Sequence, residues 1–153
     1  PYVVVRKPRP IDTKTLNYNW QIGGTEAFSV YSGVTEKIDS ESASHAVSAV
    51  LRFLTRMGII RYNCHAGYIS TVLDEEELLS VKSDKSGGFL KRFVSPGDEV
   101  VRGNVIANVI NPMTGEIAAD IYAPTDGIIF YAQNAPMIYQ NSVVFKLIRR
   151  LHN

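Results

Sequence analysis

Gly88-Phe89-Leu90, then Pro96-Gly97-Asp98-Glu99-Val100, then Gly103-Asn104-Val105-Ile106-Ala107-Asn108-Val109-Ile110 make one β motif. The same motif returns as Gly127-Ile128-Ile129-Phe130, Pro136-Met137-Ile138-Tyr139 and Asn141-Ser142-Val143-Val144-Phe145-Lys146-Leu147-Ile148. Each copy ends in an apolar strand. Turn signals punctuate the region at Asp84–Gly88, Pro96–Asp98, Asn111–Gly115 and Pro124–Gly127. Short strands at close spacing predict a closed barrel or sandwich over residues 66–153.

Upstream the pattern changes. Residues 1–6 read as a strand closed by Pro8 and Pro10, which cannot donate to a ladder. Residues 11–25, with Asn17-Tyr18-Asn19-Trp20 and Gly23-Gly24, read as a long loop. Residues 26–31 read as a second short strand. A helix is predicted over 40–57. Asp39 or Ser40 caps it, and Ala43, Ala46, Val47, Val50, Leu51, Leu54 and Met57 form one apolar stripe. Gly58 takes the left-handed position after its end. The stripe predicts a helix docked on a sheet of residues 1–6 and 26–31. Two strands and one helix cannot close an α/β domain. Together with a start inside the run Pro1–Val5, this predicts a piece of a longer protein. The fold class is therefore α+β: the end of an α/β domain over 1–65 and a β domain over 66–153, with the boundary between 60 and 80.

Bulk properties narrow the partners. The chain has 153 residues, 45% hydrophobic and 20% charged, and a net charge of +1. That balance gives no reason to expect nucleic acid or an anionic membrane. No apolar run approaches the ~18–20 residues of a spanning helix. The single Cys64 fits a reducing compartment, hence a cytoplasmic protein.

Gly97-Asp98-Glu99-Val100-Val101-Arg102-Gly103 and Ala123-Pro124-Thr125-Asp126-Gly127 resemble the turns of biotinyl and lipoyl carrier domains. Carriers attach their cofactor to a lysine on the hairpin between the halves. Here that hairpin is Asn111-Pro112-Met113-Thr114-Gly115-Glu116. It has no lysine, so neither biotin nor lipoate is expected.

The whole order resembles the C-terminal half of the succinylglutamate desuccinylase/aspartoacylase family, relatives of the zinc carboxypeptidases. The residues that carry the resemblance are Ala27–Gly33, Ile38-Asp39-x-Glu41, Leu54-x-x-Met57-Gly58-Ile59, Gly87-Gly88-Phe89, Asn111-Pro112-x-x-Gly115-Glu116 and Ala123-Pro124-x-x-Gly127-Ile128-Ile129. The resemblance implies a zinc-dependent deacylase acting on an acyl-amide bond of a small molecule. Its zinc ligands, two His and one Glu, would lie upstream in the same catalytic domain. No His-x-x-Glu occurs in this chain, and His45, His65 and His152 form no ligand set.

One position departs from the family. Its Thr-x-Glu-x-Gly reads Ser29-Val30-Tyr31-Ser32-Gly33 here. A phenol with a reference pKa of ~10 is no carboxylate base at neutral pH. Glu36 reads either as the replacement base or as a solvated carboxylate beside Lys37. Glu26 reads either as the base or as a strand-edge acid, about 17 Å from Tyr31 along an extended chain. Tyr31, Asn19 and Trp20 are candidates for substrate contact, with packing and loop anchoring as the alternatives. A different class remains open beside the enzyme: a non-catalytic β module for protein interaction or assembly.

Overall fold

A computed structural model describes residues 2–7, 9–32, 38–63, 69–84 and 87–150. Glu36, Cys64, His65 and His152 lie outside the described residues. The chain divides into two compact units, Pro1–Val72 and Leu73–Asn153. The sequence pattern divides the chain at 65/66, with the boundary between 60 and 80.

The first unit contains β1 (Tyr2–Val5), a 3-10 turn (Pro10–Lys14), α1 (Leu16–Ile22) and α2 (Ser40–Arg56). The division falls within β2 (Thr71–Asp74), the partner of β1 in a two-stranded sheet. α2 forms where its pattern places it. The Asp39 side chain accepts from the backbone N–H of Glu41 at 3.1 Å and of Ser42 at 3.0 Å, satisfying two orphan donors. At the other end Ile59 N–H donates to Leu54 O and Gly58 N–H to Thr55 O, with Gly58 at φ 73°. That is a Schellman ending.

Two expectations are corrected here. Residues 25–32 form no strand among the described residues; β1 pairs with β2 instead. The alternation in Phe28-Ser29-Val30-Tyr31 supplies a strand pattern but no ladder partner. The stretch read as loop contains α1. Its first turn is held by the Asn19 Nδ2, which donates to Thr13 O at 2.9 Å and Thr15 O at 2.8 Å. Its end is a second Schellman ending, Thr25 N–H to Trp20 O and Gly24 N–H to Gln21 O, with Gly24 at φ 83°. The stripe of α2 is also not docked as expected: none of its residues is buried.

The second unit holds two four-stranded antiparallel sheets. One has the order β3 (Leu79–Lys82), β10 (Val143–Arg149), β8 (Gly127–Ala132), β5 (Glu99–Val100). The other has the order β7 (Ile117–Tyr122), β6 (Val105–Ile110), β4 (Gly88–Arg92), β9 (Met137–Ile138). A 3-10 turn at Glu75–Glu77 precedes them. The repeat in the sequence is the symmetry of this unit. The register of Phe89 on Ile110 repeats as Ile128 on Ile148, and that of Glu99 on Ile128 repeats as Met137 on Phe89. Each short strand, β5 or β9, pairs into the sheet of the other half. The repeat is longer than the motif showed, because Phe145 on Val81 answers to Ala107 on Ile121. One core cluster draws on both sheets, with Ile106, Val109, Ile129, Ile138, Val144, Phe145 and Leu147 fully buried. Burying each such side chain contributes roughly 1.5–3 kcal/mol.

Two glycines at equivalent positions allow the sheets to close. A Cβ on Gly88 would sit 2.6 Å from the carbonyl oxygen of Ile110, and one on Gly127 would run into that of Ile148. Gly127→Ala therefore forces the backbone apart and lowers stability by about 1–3 kcal/mol. Thermal unfolding of this variant should show a clearly lowered Tm, whereas Met113→Ala at the 90% exposed hairpin tip leaves it unchanged. A Gly127→Ala protein that melts with the wild type would contradict the close approach.

The cap on α2 has a pH signature. The Ser42 N–H, then the Ser42 hydroxyl, hold the Asp39 carboxyl below the usual aspartate range. A depressed folded pKa means that the cap's contribution is present above the unfolded value of about 3.9 and is lost as pH falls through the folded one. Asp39→Ala lowers helix content by circular dichroism at neutral pH. That difference disappears once both proteins are titrated below the folded pKa.

Candidate functional site

The end of α1, the extended segment after it and the last turns of α2 come together around one concavity. Gly24 ends α1 and turns the chain into residues 25–32. The Gln21 side-chain amide donates to Ala27 O and fixes that turn. Phe28 then stands edge-on to Phe53 of α2, with ring centroids 5.8 Å apart and planes at 81°. Gln21, Gly24, Thr25, Glu26, Ala27, Phe28, Phe53 and Met57 line a concavity of about 570 Å³.

Glu26 is thus the one described candidate base that lines a concavity. Glu26 is exposed and shares that lining with Phe28, Phe53 and Met57, where a carboxylate can accept a hydrogen bond or a proton from a bound molecule. Tyr31 lies farther along the segment, 82% exposed, and is not among the lining residues. Trp20 is exposed on α1 and does not line it either. Asn19 uses its amide hydrogens on Thr13 and Thr15, which gives it a structural task within α1. The structure therefore brings Glu26 to the concavity and leaves Tyr31, Asn19 and Trp20 outside its lining.

No three His, Cys, Asp or Glu side chains cluster as a metal set among the described residues. They do not fit a zinc centre by themselves. The basic stretch near β1 is partly neutralised. Arg6 pairs with Asp12 at 3.1 Å, and the Asp12 carboxyl is held below its usual range, first by the Arg9 N–H and then by Arg6. No helix is long and apolar enough to cross a membrane among the described residues.

The sequence reading passed over a polar cluster in the second unit. Asn108 is buried within the otherwise apolar β6, and its amide donates to Asp120 Oδ1 at 2.6 Å across the β6–β7 pair. The Tyr122 hydroxyl donates to Asp120 Oδ2 at 3.2 Å. The charge of Asp120, and then this hydrogen bond, raise the Tyr122 phenol above its ordinary pKa. At the equivalent place in the other half, Lys146 meets Glu75 at 2.6 Å. The signal was present in the sequence as one polar residue at the same place in each repeat.

No family model matches the chain, and no curated protein matches it in sequence. Solved structures do share its fold. A succinylglutamate desuccinylase/aspartoacylase from Rhodobacter sphaeroides is 16% identical, with a TM-score of 0.73 over 100% of this chain and 46% of its own. A succinylglutamate desuccinylase from Silicibacter sp. TM1040 is 19% identical, with a TM-score of 0.70 over 95% of this chain and 44% of its own. The ectoine utilization protein EutE (DoeB) from Ruegeria pomeroyi is 16% identical, with a TM-score of 0.70 over 87% of this chain and 42% of its own. This chain spans less than half the length of each of them. It has the fold of a part of succinylglutamate desuccinylase/aspartoacylase-type structures, the family that its motifs resemble.

Proposed function

We propose that this chain is the C-terminal portion of a zinc-dependent hydrolase that cleaves an acyl-amide bond, as in an N-acyl amino acid. The observation that carries the reading is the shared fold, which runs over 87–100% of this chain but only 42–46% of three solved chains, two of them named as succinylglutamate desuccinylases. The apolar character of the first unit supports it. No described residue of that unit is buried, whereas the second unit has a full core. Its missing partner is the upstream part of the same catalytic domain, which also supplies the zinc ligands. Zinc there polarises a carbonyl and acidifies a bound water. The substrate is a small acylated molecule, the compartment is the cytoplasm, and neither nucleic acid nor membrane takes part.

The role of this chain's own residues follows from Tyr31. With a phenol where the family has its glutamate, the proton must move through another carboxylate. Glu26 is supported as that carboxylate because it lines a concavity of molecular size. Glu36 remains a candidate from sequence alone. The β module would shape the access to the site.

A second reading rests on the second unit being complete in itself. A module with its own core can serve as a non-catalytic interaction or assembly domain. Zinc content of the full-length protein, measured by mass spectrometry, separates the two, together with hydrolysis of a panel of N-acyl amino acids. The hydrolase reading expects one zinc per chain and at least a 100-fold loss of kcat in Glu26→Gln, or in Glu36→Gln if that is the base. Absence of stoichiometric zinc and of hydrolysis would leave the assembly module. Full activity in both variants would remove both carboxylates from the mechanism.

A further inference from the structure

The sheet β7–β6–β4–β9 turns one side away from the core. Paired residues of a sheet point to the same side, so the register writes this outer side as three rows. Met137, Phe89, Ile110 and Ile117 stand abreast in the first. Lys91, Asn108 and Asp120 stand abreast in the second. Val105 pairs with Tyr122 in the third, and the Phe93 N–H donates to Ile106 O beside them. Six of the seven side chains in the first and third rows are 39–62% exposed, Ile110 being half-buried. The same side of the other sheet is covered by its own chain. Ile148, the counterpart of Ile110, is buried although it stands outside the core cluster, and Lys146 is paired with Glu75 from the turn before β3.

We propose that the outer side of β7–β6–β4–β9 is the contact between two copies of this protein, packed face to face about a two-fold axis that runs along β6. The placement of the charges selects a second copy. Lys91 and Asp120 are exposed on the strands to either side of β6, each about 4.8 Å across from Asn108 in one row. An axis along β6 exchanges β4 with β7 and keeps every row at its own height. Lys91 of each copy then faces Asp120 of the other, at two places. The same operation sets Phe89 over Ile117 and Phe93 over Tyr122, with Ile110 and Val105 each meeting its own copy and Met137 at the rim. Apolar rows thus meet apolar rows, and the one cation meets the one anion. Packed sheets cross at about 30°, an offset that a lysine beside the axis spans. Asp120 has capacity for it: its two oxygens accept one bond each, from Asn108 and Tyr122, and a carboxylate offers about four acceptor sites. Within its own chain Lys91 lies over the Phe93 ring, 5.8 Å from the centroid. Two such faces would bury on the order of 1,200 Å² in all, the lower end of specific interfaces. The contact requires neither zinc nor turnover, so it stands or falls apart from the hydrolase reading.

Sedimentation of the full-length protein from about 1 to 100 μM tests the contact. A dimer is expected. Lys91→Glu and Asp120→Lys should each raise its dissociation constant at least about 10-fold, because each variant opposes like charges at two places. An equimolar mixture of the two variants should dimerise again, since a mixed pair opposes unlike charges at both places. Ile117→Asp, in the first apolar row, should also give monomers, and it keeps the test readable if Asp120→Lys does not fold. Circular dichroism establishes that each variant is folded. A wild-type protein that stays monomeric up to about 100 μM overturns the proposal and leaves the face to another part of the same polypeptide or to a different protein. A dimer that survives Ile117→Asp overturns it too, by placing the contact elsewhere. So does a mixture of the two folded charge variants that associates no better than either alone.

Discussion

The close approach of Gly88 to the carbonyl of Ile110, and of Gly127 to that of Ile148, is the constraint on which the second unit depends. Each glycine opens the first strand of its half, β4 or β8. Each carbonyl lies at or near the end of the central strand that pairs with it, β6 or β10. Without room for a Cβ, the two strands come together tightly enough for the short strand of the opposite half to pair beside the glycine. The exchange of β5 and β9 then ties the halves into one cooperative core. Backbone bonds repeat the same relation: Ser83 N–H meets Ser142 O at 2.9 Å, and Ala123 N–H meets Asn104 O at 2.8 Å.

That symmetry was legible where side chains repeat and hidden where only the backbone does. The copies beginning at Gly88 and Gly127 share Gly, Pro and apolar positions, so the sequence shows them. Ser80, Lys82 and Ser83 answer to Asp120, Tyr122 and Ala123 in register, yet share no residue type that pattern reading would match. A ladder is indifferent to such outward-facing differences. α1 was hidden for another reason. Leu16, Trp20 and Ile22 give it little periodicity, and it is held by side-chain to backbone bonds from Asn19 and by Gly24. The segment 25–32 erred in the opposite sense, since alternation states which face a residue would take and not whether a neighbour exists. The cap at Asp39 and the ending at Gly58 were read correctly because both depend on local chemistry alone.

The two units differ in what holds them. In the second, some fifteen buried apolar side chains oppose the entropy of ordering the strands. In the first, the described residues offer caps, Schellman endings, one aromatic pair and an exposed Arg6–Asp12 bridge. Caps and surface pairs each contribute about 1 kcal/mol or less, too little to order so many residues by themselves.

This asymmetry decides where chemistry can reside. The hairpin Asn111–Glu116 is a closed turn: Met113 N–H donates to Asn111 Oδ1, Gly115 N–H to Asn111 O, and Glu116 N–H to Thr114 Oγ1. It contains no lysine. The polar cluster of Asn108, Asp120 and Tyr122 satisfies its own groups across two neighbouring strands. The reactive carboxylate, if this chain supplies one, belongs where packing is unfinished and a ligand or a second wall can still enter. Glu26 lines the concavity, and Glu36 lies outside the described residues. Tyr31 lies outside the lining of that concavity.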